Sequence, residues 1–419
     1  MPINAAPPPD VLIIGAGLAG LACALSLQSH GVSVSIIDAS ERVGGRIVTD
    51  AHDGFLFDRG FQVLQTAYPE AQAQLDYRAL DLRPFQVGAL IRHGGRFYRI
   101  ADPWREPGRA FAMLFSPIGS FKDKLLTALL RHRALTGSLE NLYRRPETST
   151  LHYLRECGFS DAMLERFLRP FLAGVFFDGE LETSSRACEF VLRAFATGAT
   201  ALPARGMGAI PHQLASRLPE GSIRLNTRVE RLDERAVMLA NGERLNAKAI
   251  VLAVDKGEAA RLLGEPIPVA KATTCLYFAA AQAPITEPIL VLNGEGAGPI
   301  NSLCVPSQLS ADYAPPDQAL VCVNVLGNPS AKDAELAAAV RAQLIDWFGS
   351  GVETWQYLRT YRIPRALPLQ TPPVPYPPNR SPQLRSWLFA AGERVSTVSI
   401  HWALDSGRRA GEAVAVALG

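Results

Sequence analysis

The stretch Val11-Leu12-Ile13-Ile14-Gly15-Ala16-Gly17-Leu18-Ala19-Gly20 decides the fold. Four consecutive apolar residues predict a buried strand, and three glycines at GxGxxG spacing follow it. Apolar residues then resume as far as Ser29, which predicts a helix of about three turns. Gly31 breaks the chain before a second apolar strand, Val32–Ile37. From Val11 to Ile37 there is no Asp, Glu, Lys or Arg, a run long enough to cross a bilayer. However, Gly15, Gly17, Gly20 and Gly31 interrupt it, and the leading MPINAAPPPD lacks the positive charge of a signal peptide. The run therefore reads as strand, turn, helix and strand.

That context gives the glycines a mechanical meaning. Gly15 permits the tight turn, Gly17 lets the backbone approach a pyrophosphate, and Gly20 lets helix and strand pack closely. Leu18 and Ala19 open the helix, whose free N–H groups and dipole hold phosphate. Asp38, followed by Ala39, ends the second strand 18 residues past Gly20. There a carboxylate can bind both hydroxyls of a ribose.

Composition narrows the remaining possibilities. The 419 residues are 48% hydrophobic and 20% charged, enough for two or three domains with a large core. A net charge of +2, from 42 basic and 40 acidic residues, argues against nucleic acid as a partner. The six cysteines form no CxxC pair and read as reduced, mostly buried thiols. The seven histidines form no HxxxH ligand cluster, so no metal site is expected. No GxSxG elbow offers a hydrolase nucleophile.

The continuation Glu41-Arg42-Val43-Gly44-Gly45-Arg46 resembles the GGR segment of the flavin-containing amine oxidase superfamily. This superfamily includes monoamine oxidases, protoporphyrinogen oxidases and phytoene-type desaturases. The resemblance implies that the loop runs beneath the diphosphate and ribityl chain of FAD. Gly44 and Gly45 would admit the cofactor, while Arg42 and Arg46 would neutralise phosphate or order the loop. Phe57-Asp58-Arg59-Gly60-Phe61 resembles the following segment, which places Gly60 and Phe61 near the flavin. Arg205–Ile210 before a helix, then Ile223–Val229, a turn at Asn241-Gly242 and a strand over Ala249–Val254 are similar to the family's second contribution to the cofactor domain. There the position of Val229 contacts adenine through its backbone. Leu388–Glu393 and the helix opening at Ser399-Ile400 are similar to the last cofactor segment. Gly392 would approach the ribityl phosphate, and Glu393 would bind a ribityl hydroxyl or join a hydrogen-bond network. The helix start at Ser399 and Ile400 would face the pyrimidine ring.

The expected fold is thus α/β, with a discontinuous, GR2-like Rossmann-type FAD-binding domain from residues 1–84, 205–260 and 383–419. Residues 85–103 and 261–382 would form a mixed-sheet substrate domain, and 104–204 a helical subdomain. Within the latter, the apolar run Pro170–Phe177 resembles a cavity-lining segment, with core packing the equal alternative. Phe111–Ile118, flanked by Arg109 and Lys122, is apolar enough to dip into a membrane interface or to pack within the subdomain. The chain is expected to be cytoplasmic, either in solution or loosely attached to a membrane surface.

The reaction is less fixed than the cofactor. Many amine oxidases carry a lysine about five residues before an aromatic that ends a strand. In Thr273-Thr274-Cys275-Leu276-Tyr277-Phe278 that register puts Thr273 at the lysine position, with Lys271 two residues early. No cysteine follows Cys322, so the covalent flavin link of monoamine oxidases is missing and FAD would be held noncovalently. The leading expectation is dehydrogenation or desaturation of a hydrophobic small molecule by hydride transfer to flavin N5. Amine or amino-acid oxidation and a non-catalytic flavin-bound binding or assembly protein are the alternatives. Lys271 and His401 are the candidate catalytic side chains.

Overall fold

In a computed structural model, which describes residues 9–102, 105, 108 and 116–419, the strand Val11–Ile14 is the middle member of a five-stranded parallel sheet. Across that sheet the order is Ile223–Arg224, Val34–Ile37, Val11–Ile14, Ala249–Leu252 and Leu388–Ala390. Three separated parts of the chain therefore build one sheet. Such strands are apolar on both faces because both faces are covered. Val11 and Ile13 join one core with the helix Leu18–Ser29. Leu12 and Ile14 join another with Val229, Val237 and Leu239 of a small antiparallel sheet.

The helix Ile400–Leu418 lies directly on Leu18–Ser29. Glycines set this spacing. A Cβ at Gly407 would stand 2.3 Å from the Ala19 carbonyl oxygen, and one at Gly411 2.6 Å from Ser26 Cβ. The C-terminal helix is thereby seated against the start of the glycine-turn helix, and Ser399, whose side chain accepts from the Trp402 N–H, fixes where it begins.

A mixed seven-stranded sheet forms the second body. Its order is Gln356–Pro368, Ala270–Ala280, Ala319–Leu326, Ser302–Cys304, Leu290–Asn293, Ala89–His93 and Arg96–Ile100. Alternation divides its two faces. Leu276, Phe278, Val321 and Val323 pack under the helix Asp333–Phe348, whereas Cys275, Tyr277 and Cys322 join the core shared with the parallel sheet. Helices between Phe121 and Thr197 make the third part. Among the described residues, no helix is long and apolar enough to cross a membrane.

The edge strand Gln356–Pro368 runs through two prolines, Pro364 and Pro368. Pro364 and Pro368 are tolerated because this is the sheet's edge, where an unmade ladder bond faces away from a neighbour. Phe111, Leu114 and Phe115, the apolar residues singled out for a membrane interface, lie outside the described residues.

Candidate active site

Two glycine turns meet edge to edge. Gly17 and Gly44 form a parallel bridge, and the Gly44 N–H donates to Ala16 O at 2.9 Å. A Cβ on Gly45 would lie 3.4 Å from Gly17 Cα. Gly15 has φ +109°, and a Cβ there would stand 2.6 Å from Ala253 O; one on Gly20 would stand 1.9 Å from Gly15 O. Side chains at these positions would fill the cradle or force its walls apart. Gly17 caps the helix without any side-chain bond, and its first turn carries no acid. The N–H groups of Leu18 and Ala19 are thus left facing outward with the positive end of the dipole, which suits a diphosphate.

Asp38 holds this turn from the next strand. Its Oδ2 accepts the Ala16 N–H at 2.7 Å and its Oδ1 accepts the Ser40 N–H at 2.8 Å. Thr227 N donates to Asp38 O, and Asn226 N to Ser40 O, bringing the approach to Val229 alongside Asp38-Ala39-Ser40. Val229 is buried, and its carbonyl accepts from Arg261 at 2.7 Å. A backbone contact to a base at this position would use its N–H or share the carbonyl.

The two arginines of the second turn have protein partners. Arg42 donates to Asp50 at 2.5 Å and to Thr49 O, while Arg46 pairs with Glu393 and donates to Ala366 O at 2.7 Å. Of the two roles the resemblance allows, both guanidiniums serve the ordering of the loop. Glu393 is buried and its other oxygen accepts the Lys256 N–H, so it stands inside a network. Gly392 has φ +74°, and a Cβ there would lie 3.5 Å from Ala19 Cβ. Gly60, at φ +94°, faces Ile363, and Phe61 packs edge-on against Phe85. Gln62 ties this loop to the glycine turn through Arg46 O at 2.8 Å.

Two carboxylates that the sequence reading missed organise these loops. Burial raises the Asp50 carboxyl, but bonds from Arg59, Tyr361 and Arg42 outweigh it and hold the group well below the usual carboxylate range. Asp58 is fully buried, and burial pushes it up to about 6 against the pull of Thr49, Tyr313 and the Met207 N–H. Asp58 thereby joins the first cofactor segment to the second and to the turn Ala311–Tyr313, while its backbone carbonyl accepts from Tyr277 of the substrate sheet. Their only sequence signal was the carboxylate that ends the apolar run Phe55-Leu56-Phe57, since the paired strand Thr49–His52 is largely polar.

The candidate catalytic side chains are elsewhere engaged. Lys271 Nζ lies 3.0 Å from the buried Asp178 carboxylate. Burial raises Asp178, but Lys271 and Thr183 hold it below its ordinary value. Thr273, in the register expected for a lysine, donates to Asn324 at 2.7 Å. His401 is buried among Tyr68, Phe190 and Trp402 and accepts the Glu70 N–H through Nδ1 at 3.3 Å. Burial lowers it to about 4, so at neutral pH it is an uncharged packing group. All six cysteines are free, and no cluster of His, Cys, Asp or Glu among the described residues could hold a metal.

The chain is similar along most of its length to known flavoproteins. It is 24% identical to the coproporphyrinogen III oxidase of Propionibacterium freudenreichii subsp. freudenreichii, over 80% of this chain and 77% of that protein. It is 36% identical to protoporphyrinogen oxidase 2 of Arabidopsis thaliana over 39% of this chain, about a third (32%) of the plant protein's length. An oxidoreductase structure from Methanosarcina mazei superposes with a TM-score of 0.74 at 16% identity, covering 96% of this chain and 99% of that one, and so shares the fold. The model of the flavin containing amine oxidoreductases matches residues 18–415, from the first helix of the glycine cradle to the helix seated against it, and the chain belongs to that family of flavin-dependent oxidoreductases.

Proposed function

We propose that this chain holds FAD noncovalently in the glycine cradle and dehydrogenates a hydrophobic small molecule, with porphyrinogens as the first class to examine. The carrying observation is the fate of the two positions where an amine-oxidase lysine would stand. Lys271 is neutralised by Asp178, and Thr273 is bonded to Asn324. Neither is placed to move a proton for an amine. When bound, the flavin supplies a hydride acceptor at N5, so the protein's task is positioning, exclusion of water and stabilisation of charge. The N–H groups of Leu18 and Ala19 would take the diphosphate and Asp38 the ribose. Gly44, Gly45 and Gly392 would allow the backbone to close around the chain between them. The start of the helix Ile400–Leu418 would direct its positive end at the ring that gains negative charge. Similarity to a coproporphyrinogen III oxidase over most of both chains supports the substrate class.

The test is anaerobic flavin bleaching with coproporphyrinogen III, protoporphyrinogen IX, putrescine and benzylamine as separate substrates. Bleaching by a porphyrinogen alone supports the reading. Bleaching by an amine alone overturns it in favour of amine oxidation.

We also propose that the helix Phe121–Leu135 rests on an anionic membrane surface. Phe121, Leu125 and Leu129 recur at intervals of four and are 71%, 58% and 57% exposed, an apolar stripe along one helix face. The same helix carries Lys122, Lys124, Arg131 and Arg133, while its one acid, Asp123, is buried and capped against Ser120 and Ser160. Arg133 pairs with the buried Glu189 and Arg131 lies beside Asp102, so the basic flank is Lys122 and Lys124 at the start of the helix, which complements anionic lipid and disfavours a second copy of the same helix.

A further inference from the structure

Away from the cofactor cradle, at the opposite end of the strand Leu388–Ala390 from Gly392, the chain surrounds a cavity of about 260 Å³. Its apolar lining comes from three elements. Leu232 belongs to the strand Val229–Asp233, Leu262 and Leu263 end the helix Lys256–Leu263, and Trp387 and Leu388 lead into the last strand of the parallel sheet. Leu262, Trp387 and Leu388 are buried members of the core under that sheet, with Leu232 and Leu263 packed against it, so the cavity is an opening into this core. Its volume lies just below the range of about 300–1,000 Å³ for sites that take drug-sized ligands, and it suits a molecule the size of an amino acid.

Three charged side chains complete the lining. Asp233 is already neutralised, since Arg231 and Arg244 pair with it at 3.0 and 3.1 Å. Glu234, in the turn that joins the strands Val229–Asp233 and Ala236–Leu239, is exposed, and its carboxylate has no partner among the described residues. Arg385 is exposed too, and its guanidinium makes no hydrogen bond or ion pair among the described residues. Its contact is with the Trp387 ring, 5.8 Å from the centroid, and Arg385 and Leu388 exchange backbone bonds at 3.0 and 3.2 Å that fix the turn. Stacking on a ring restrains the long side chain and leaves the in-plane N–H groups free, the disposition that takes a carboxylate through two parallel bonds. A cation and an anion thus line one small cavity without pairing, with more than 4.0 Å between their charged atoms.

We propose that this cavity binds a zwitterion with an apolar side chain, an α-amino acid of the leucine class. Arg385 takes its carboxylate, Glu234 takes its ammonium, and the side chain lies against Leu232, Leu262, Leu263 and Trp387. A carboxylate without an amine would bring a like charge to Glu234, and an amine without a carboxylate would bring one to Arg385, so each half of the ligand alone is disfavoured. The site stands apart from the cradle and uses no flavin chemistry, so it does not depend on the FAD reading.

The experiment is calorimetric titration of the FAD-loaded protein with L-leucine, with 4-methylpentanoate, which lacks the ammonium, and with 3-methylbutylamine, which lacks the carboxylate. The parent should bind L-leucine about tenfold more tightly than either, a ratio equivalent to about 1.4 kcal/mol. Arg385→Gln should weaken L-leucine about tenfold and leave 3-methylbutylamine unchanged. Glu234→Gln should weaken L-leucine to a similar extent and leave 4-methylpentanoate unchanged. Both side chains are exposed, so both variants should melt at the parent temperature. L-Leucine affinity that stays at the parent's value in either variant overturns the proposal and places any binding elsewhere, the flavin site included. Failure of the parent to bind L-leucine, or equal binding of all three compounds, overturns it as well. A chain that takes up no FAD defeats the cofactor reading instead, and the same titrations still report on Arg385 and Glu234.

Discussion

Arg46, in the second glycine turn, closes an ion pair with the buried carboxylate of Glu393, which follows the last strand of the parallel sheet. The pair joins the first and last chain segments of the cradle before any ligand enters. Arg46 also donates to Ala366 O, so the same side chain reaches the edge strand of the substrate sheet. Its removal leaves Glu393 buried and short of a cation. Arg46→Ala is therefore expected to weaken FAD retention about tenfold to hundredfold and to destabilise the protein by about 1–3 kcal/mol, the range for bonds to a charged group. Glu393→Gln, which removes the stranded charge as well, should lose less. Flavin titration and chemical denaturation of both variants measure the ordering; equal losses would assign the effect to one residue acting alone.

Asp38 carries two tasks at one carboxylate. It accepts two backbone N–H groups of the turn, and each oxygen retains a lone pair for a ribose hydroxyl. Asp38→Ala should weaken FAD binding by about 1.5–3 kcal/mol and lower the melting temperature of the FAD-free protein too. A dissociation constant equal to the parent's would remove Asp38 from the ribose site.

Much of this was legible in the sequence because cofactor cradles are built from local patterns. Gly15, Gly17 and Gly20 occur within six residues, and their steric reason is visible at Ala253 and within the turn itself. Asp38 follows from strand length. What could not be read was which side chains pair across distant segments: Arg42 with Asp50, Arg46 with Glu393, and Asp58 with Thr49, Tyr313 and Met207. Those partners depend on three-dimensional closure rather than on spacing. His401 illustrates the same limit. Its position at a helix start suggested a role near the flavin, yet packing turned its ring into the Tyr68–Phe190–Trp402 cluster.

The buried Asp58 gives a pH signature with a defined sign. Burial raises this acid from 3.8 to about 6, so between those values the folded protein binds a proton that the unfolded chain has released. Stability contributed by this site is greatest at the acid end and falls as pH rises to about 6, by about 2–3 kcal/mol in total. Asp58→Asn imitates the protonated acid: its oxygen can still accept from Thr49 and Met207, and its amide can donate to Tyr313. The stability of the parent minus that of Asp58→Asn should therefore decline from pH 4 to 6 and level off above. A flat difference would mean that Asp58 titrates near its ordinary value.

The stripe on the helix Phe121–Leu135 predicts selective flotation. Protein mixed with phosphatidylcholine vesicles containing phosphatidylglycerol should float, and with phosphatidylcholine alone should not. The triple change of Phe121, Leu125 and Leu129 to Ser should abolish flotation with little effect on stability, since all three side chains are mostly exposed. Retained flotation in that variant would place the membrane contact elsewhere, and failure of the parent to float would remove it.

Lys271 is the residue on which the two oxidation chemistries differ most sharply. A proton-handling lysine must be free to approach the reacting centre, whereas Lys271 Nζ is held 3.0 Å from Asp178, which is only 1% exposed in its side chain. Asp178 also accepts from the N–H and hydroxyl of Thr183, so this corner is a fixed ion pair under a hydrogen-bonded turn. Lys271→Met should then lose about 3 kcal/mol of stability at neutral pH, because it strands a buried carboxylate. The loss should shrink on acidification, since the carboxylate held below its ordinary value by Lys271 becomes easier to protonate once the lysine is gone. Adding Asp178→Asn should restore most of the stability, which a purely catalytic role for Lys271 would not allow. Flavin bleaching in stopped flow, with a confirmed substrate and matched FAD occupancy, should stay within about tenfold of the parent, about 1.4 kcal/mol in barrier. A thousandfold loss that the double variant fails to rescue would show that the ammonium leaves Asp178 to take part in the reaction, and amine oxidation would then be the better account of this site.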